Sequence, residues 1–154
     1  MAGRVTSDFD SFIAQVMQVG GRIRRAVNEA LREEALGVQE LARRYVPVDT
    51  DPETGAPYEP GYMERAIKVA SADFRRRWIV YVDEDSPDDT GRYTVGAYLR
   101  FLHEGSYRLG PGSIAKGGYA AGVGPKFLER AWAERVASGM LRRIENEARK
   151  AGVL

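Results

Sequence analysis

The chain has no cysteine and one histidine among its 154 residues. Without thiols there is no disulfide, no zinc–thiolate site and no cysteine nucleophile, and one imidazole cannot complete the common zinc sites, so metal ligation would fall mostly to carboxylates. No apolar run approaches the roughly 20 residues that cross a bilayer, so no membrane association is expected. The opening residues MAGRVTSDFDSF hold no continuous apolar stretch; a secretory signal needs one, so the chain is expected to work in the cytoplasm where it is made. Charge of one sign is scarce too: 23 Lys+Arg against 22 Asp+Glu leave a net charge of +1. That is too little for strong long-range attraction to nucleic acid.

What is present suits one soluble domain spanning 1–154, with 44% hydrophobic and 29% charged residues. Arginine far outnumbers lysine, and guanidinium groups favour planar, two-pronged pairing with carboxylates at contact surfaces. Between Asp8 and Tyr45, apolar residues recur in steps of three and four: Phe12, Val16, Val19, Ile23, Val27, Ala30, Leu31, Ala35, Val38, Leu41 and Tyr45. This is the stripe of one long helix, with Ser7 or Asp8 as N-cap and Pro47 as its stop. Gly20-Gly21 is its weak point, since each glycine costs roughly 1 kcal/mol relative to alanine, and a bend is expected there.

Residues 46–63 carry four prolines and read as an irregular surface connector. Ile67 to Ala70 and Trp78 to Val82 are β-branched and aromatic runs either side of a polar turn, which predicts an antiparallel hairpin. In the second run Trp78, Val80 and Val82 alternate with Ile79 and Tyr81, so both faces are apolar. One face would take helix and the other a partner subunit. Val95, Tyr98, Leu99 and Leu102 predict a short amphipathic helix capped by Gly105. Residues 106–124 hold six glycines and no periodicity, the pattern of a flexible arm that orders on a partner. A last helix opens near Pro125 and carries Phe127 or Leu128, Ala131, Trp132, Val136, Met140, Leu141 and Ile144 on one side, with Trp132 in the core.

His103-Glu104 is the pair that invites a catalytic reading. Adjacent helical residues point about 100° apart, so the two are not expected to form a dyad, and no H-E-x-x-H pattern exists. The expected role is structural: the histidine meets the last helical carbonyls, and Tyr107 and Arg108 follow for contact. Gly110 to Ser113 and Gly122 to Pro125 lack the spacing of a phosphate-binding loop. The acidic run Asp83 to Asp89 lacks the spacing of a calcium loop and reads as solvated. No cofactor and no metal are expected.

The order of motifs resembles the tail-completion or neck proteins of long-tailed bacteriophages, the family that includes the lambda-type minor tail protein Z. The matching features are Tyr45 to Thr50 after a long charged helix; Met63, Ala66, Ile67 and Val69 entering the first strand; Tyr98 to Ser106; and Pro125, Phe127, Leu128 and Ala131 opening the final helix. Two departures stand out. DPETGAPYEPGY is interposed after the first motif, and the acid of the third sits next to Gly105. The resemblance implies an α+β subunit, helices packed on a small antiparallel sheet, and no catalysis. It implies a homo-oligomeric ring, a hexamer, in the virion neck. Its neighbours would be a tail terminator or tail tube protein on one side and a head-closure or connector protein on the other, with DNA passing through the lumen without specific binding. Tyr98, Phe101, His103, Glu104, Tyr107, Arg108, Lys116, Tyr119, Pro125 and Phe127 are the interface candidates. The alternative is a small DNA-binding accessory protein using Arg75 to Arg77 and the Arg108 to Lys116 arm, and the remotest reading is a hydrolase using His103.

Overall fold

The structure is a computed structural model that describes residues 4–50, 53–55, 61–73 and 77–152, with side chains from residue 15 onward. Helix α1, Arg4–Tyr45, runs for 42 residues. It begins ahead of Ser7 and Asp8, so neither is the N-cap, and it continues through Gly20-Gly21 without losing helical backbone. Among its described side chains Ala30, Glu34, Ala35, Val38 and Ala42 are buried, the three-and-four spacing that the stripe requires. Arg43 and Arg44 sit in the last turn, where positive charge meets the negative end of the helix dipole.

The connector contains an element that its proline content hides: α2, Tyr62–Ala66, which buries Met63 and Ala66 and leads directly into strand β1, Ile67–Ala72. Strand β2, Arg77–Val82, returns antiparallel, with Ile67 opposite Val82 and Ala72 opposite Arg77. A two-stranded ribbon is marginal by itself in water. Here α1 supports it: Gln39 Nε2 donates to the Ile67 carbonyl at 2.7 Å, and Trp78 Nε1 donates to Asn28 Oδ1 at 3.1 Å. The acidic loop that follows is shaped by its own carboxylates, Asp88 Oδ1 accepting from the Thr90 and Arg92 amides. Of the basic run, Arg75 and Arg76 lie outside the described residues, and Arg77 pairs with Asp73 at 2.9 Å.

Helix α3, Gly96–Glu104, turns its predicted stripe inward, with Val95 fully buried and Tyr98, Leu99 and Leu102 half-buried. Gly105 is its C-cap, as expected, in extended backbone with its amide bonding the Phe101 carbonyl. Glycine is needed because a Cβ there would run into the Phe101 carbonyl oxygen. The expected single last helix is two: α5, Phe127–Ala137, and α6, Met140–Gly152. The break falls at Gly139, whose φ of 93° suits glycine alone. Pro125 precedes α5 by two residues and is not in its first turn, because Lys126, with φ 55°, is the N-cap.

These elements make an α+β fold in which α1 packs on α5, α6 and the two-stranded sheet. Val38, Ala42, Val46, Met63, Ala66, Ile67, Val95, Phe127, Ala131 and Met140 form the core, and each large apolar side chain removed from water there contributes roughly 1.5–3 kcal/mol. Trp132 is not among them. It is 54% exposed, because the α5 face that reaches the core is the Phe127–Ala131 face, one residue out of phase with Trp132.

Candidate functional site

The glycine-rich segment, expected to be flexible and to order only on a partner, carries structure of its own. Pro111–Ala115 forms the short helix α4 and Gly118–Ala121 a 3-10 turn. Ser113, buried, donates its hydroxyl to the Val48 carbonyl and accepts from the Val48 amide, both at 3.0 Å. Gly112 lies so close to residues 48 and 49 that a Cβ would sit 2.8 Å from each of their carbonyl oxygens. Lys116 Nζ donates to the Arg43 carbonyl at 2.7 Å and the Val46 carbonyl at 3.0 Å, and pairs with Glu64 at 2.5 Å. It therefore satisfies carbonyls left open at the end of α1. Sequence periodicity cannot show this, because the partners lie about 50–70 residues away along the chain.

The ten interface candidates consequently divide. Phe127 is fully buried and cannot meet a neighbour; it belongs to the core. Lys116 serves as the internal cap just described. The Tyr98 ring lies tilted against Tyr62 and edge-on to Tyr93, with centroids 6.2 and 6.0 Å apart. Tyr107 donates its hydroxyl to the Leu102 carbonyl at 2.8 Å, and burial pushes its phenol up to about 12. Tyr119 bonds the Tyr107 carbonyl through its hydroxyl while leaving much of its ring exposed. Pro125 is half-buried, and Phe101, Glu104 and Arg108 are exposed.

His103 and Glu104 do meet, contrary to the expectation from helical phase. Nδ1 lies 2.9 Å from Glu104 Oε1, and since an ionised carboxylate only accepts, Nδ1 carries the hydrogen. The contact is allowed because Glu104 is the last helical residue. The histidine does not cap the helical carbonyls. Its ring sits edge-on to Phe127, with centroids 5.1 Å apart, and Nε2 is buried with no hydrogen-bond partner. The hydrogen bond from His103 holds the Glu104 carboxyl below the usual range. Glu129, which sequence reading passed over, brings a third donor, and the three donor atoms lie within 4.8 Å of one another. A cation is already at hand in Lys126, whose Nζ is 3.9 Å from Glu129 Oε2.

The more extensive feature is apolar. An open cavity of about 600 Å³ lies between α1, β2, α5 and the start of α6, lined by Leu31, Ala35, Trp78, Ile79, Leu128 and Trp132. Beside it the outer face of β2 presents Ile79 and Tyr81, each 41% exposed. No family model, no curated protein and no solved structure matches the chain. Function must therefore be read from this surface and from the motif order.

Glu34 lines the groove and ties its helices together. Its carboxylate accepts from Arg143 Nε at 2.6 Å and Nη2 at 3.0 Å, and from Arg135 Nε at 2.6 Å. The Arg143 hydrogen bonds hold its pKa below the ordinary value against the opposing effect of burial, with Arg135 adding to the lowering. Gly37 makes the clamp reachable, since a Cβ there would lie 2.6 Å from Arg135 Cζ.

Proposed function

We propose that the chain is a structural subunit of the head–tail junction of a long-tailed bacteriophage, a tail-completion or neck protein that assembles as a homo-hexameric ring. Its neighbours are a tail terminator or tail tube protein and a head-closure or connector protein, with DNA passing through the lumen. The observation that carries the assembly part is the apolar groove and the β2 face, with Ile79 and Tyr81, left open to water. Soluble monomers rarely leave large contiguous apolar patches in water. The virion part rests on the ordered motifs. Tyr45 to Thr50 form the seam on which the glycine-rich segment docks, and Phe127 and Ala131 anchor α5 in the core, so the motif residues support the framework that holds the groove open.

The test is genetic. Lysates of a phage lacking this gene are expected to show, in negative stain, filled capsids and tails lying apart. Joined, infective particles would reject the proposal. The DNA-binding alternative is separated by a salt titration: a phosphate binder loses affinity steeply as salt rises.

A further inference from the structure

The end of helix α3 and the start of α5 bring three metal-ligating side chains to one place. Glu104 closes α3 and Glu129 lies in the first turn of α5, while the Lys126 amide bonds the His103 carbonyl at 2.7 Å and so fixes the two elements side by side. One donor atom from each of His103, Glu104 and Glu129 lies within 4.8 Å of the other two. The two carboxylates stand in for the second histidine that the sequence lacks. Donors around one Zn²⁺ ion, each about 2.0–2.2 Å from it, stand about 3–4 Å apart. Both glutamate side chains are more than half exposed, so rotation about their own bonds closes the remaining gap without moving backbone.

The imidazole selects the kind of ion. Calcium and magnesium take oxygen ligands, whereas a nitrogen with two carboxylates suits Zn²⁺ and its first-row neighbours. His103 already faces the site, with Nδ1 2.9 Å from Glu104 Oε1 and Nε2 buried without a hydrogen-bond partner. Ligation through Nδ1 moves the ring hydrogen to Nε2. Nε2 lacks a partner in either tautomer, so the exchange strands no further group, and the carboxylate that loses a hydrogen-bond donor gains the cation. The edge-on contact with Phe127, centroids 5.1 Å apart, braces the ring. Lys126 is the local rival. Its Nζ is 3.9 Å from Glu129 Oε2, with both side chains more than half exposed, and a single charge held that loosely in water yields to a divalent ion. Glu104 and Glu129 also open onto a surface cavity of about 410 Å³ beside Ser106 and Pro125, which leaves room for water to complete the coordination.

We propose that His103 Nδ1, Glu104 and Glu129 bind one divalent ion of the Zn²⁺ class per chain, clasping the end of α3 to the first turn of α5. The glycine-rich segment leaves α3 at Gly105 and reaches α5 through Pro125 and Lys126, so the ion pins both of its ends. The site is independent of the virion role proposed above, which stands or falls on other observations.

A single histidine makes the test direct. Untagged protein is stripped with EDTA and titrated with Zn²⁺ by calorimetry, while the nitrogen resonances of its one imidazole are followed by NMR. The expected result is one ion per chain and a large shift of the Nδ1 resonance, with Nε2 protonated. The melting temperature should rise by about 5–10 °C at about a hundredfold excess of Zn²⁺ over Kd. Glu129→Gln, at an exposed site, should melt as the parent does without metal and weaken Zn²⁺ binding by about tenfold or more. Glu104→Gln should weaken it comparably. Absence of binding at millimolar Zn²⁺ overturns the proposal. So does ligation through Nε2, an affinity that Glu129→Gln leaves unchanged, or one ion shared between two chains. Equal stabilisation by Mg²⁺ overturns it as well, since the carboxylates would then hold loosely attracted counter-ions only.

Discussion

Replacing Ser113 with alanine removes one oxygen and strands two backbone groups. The hydroxyl bridges both the amide and the carbonyl of Val48 at 3.0 Å, and both residues are buried. Each backbone group left without a partner away from water costs about 1–3 kcal/mol. Loosening of the segment would let water reach one of them, so a total near 2–3 kcal/mol is expected. For a domain of this size, that lowers the melting temperature by about 5–10 °C. The assays are a circular-dichroism melt and native-state hydrogen exchange across residues 109–117, with Ser106→Ala, at an exposed site, as the control that should leave both unchanged. Exchange should quicken first at the Lys116 amide, which bonds the Gly112 carbonyl at 3.1 Å. A Ser113→Ala protein whose melt and exchange match those of the parent would refute the docking of this segment on residues 46–48 and restore the picture of a free arm.

Two further outcomes follow from the core and the clamp. Glu34→Gln keeps the shape and removes the charge that Arg135 and Arg143 share; with the arginines able to turn towards water, a loss of about 2–3 kcal/mol is expected at neutral pH. The folded pKa of Glu34 lies below 4.5, so its contribution is full above that value and fades as pH falls through the folded pKa. Parent and variant stabilities from urea titrations should therefore converge in acid, and a gap that widens there would contradict the clamp. Phe127→Ala empties a fully buried site and should cost about 3–5 kcal/mol, with partial loss of fold at 37 °C; a change of a few tenths in a denaturant melt would mean that Phe127 is a surface contact after all.

His103 and Glu104 show where reading by residue type stops. Helical phase forbids neighbouring side chains to meet in mid-helix, yet the helix ends at Glu104, and there its side chain swings onto Nδ1. Glu129, more than twenty residues on, joins them only because α5 starts beside the end of α3, the Lys126 amide bonding the His103 carbonyl at 2.7 Å. Trp132 misled for the opposite reason. Its spacing fits the apolar stripe, but within α5 it is the face of Phe127 and Ala131 that reaches the core, and Trp132, next in sequence to Ala131, is left outside it.

Local order was legible in the residues alone. The three-and-four stripe, the paired β-branched runs and the turn chemistry established a long helix, a hairpin and a short amphipathic helix, because each depends on side chains only a few positions apart. Three-dimensional packing decided the rest. Glycine content made residues 106–124 look free, and only the folded chain shows Ser113 and Lys116 binding carbonyls far away in sequence. The open groove beside Ile79 and Trp132 is likewise a property of how helices and hairpin are placed. Which apolar face finds cover depends on what else arrives there, and that is set by contacts that no short window of sequence contains.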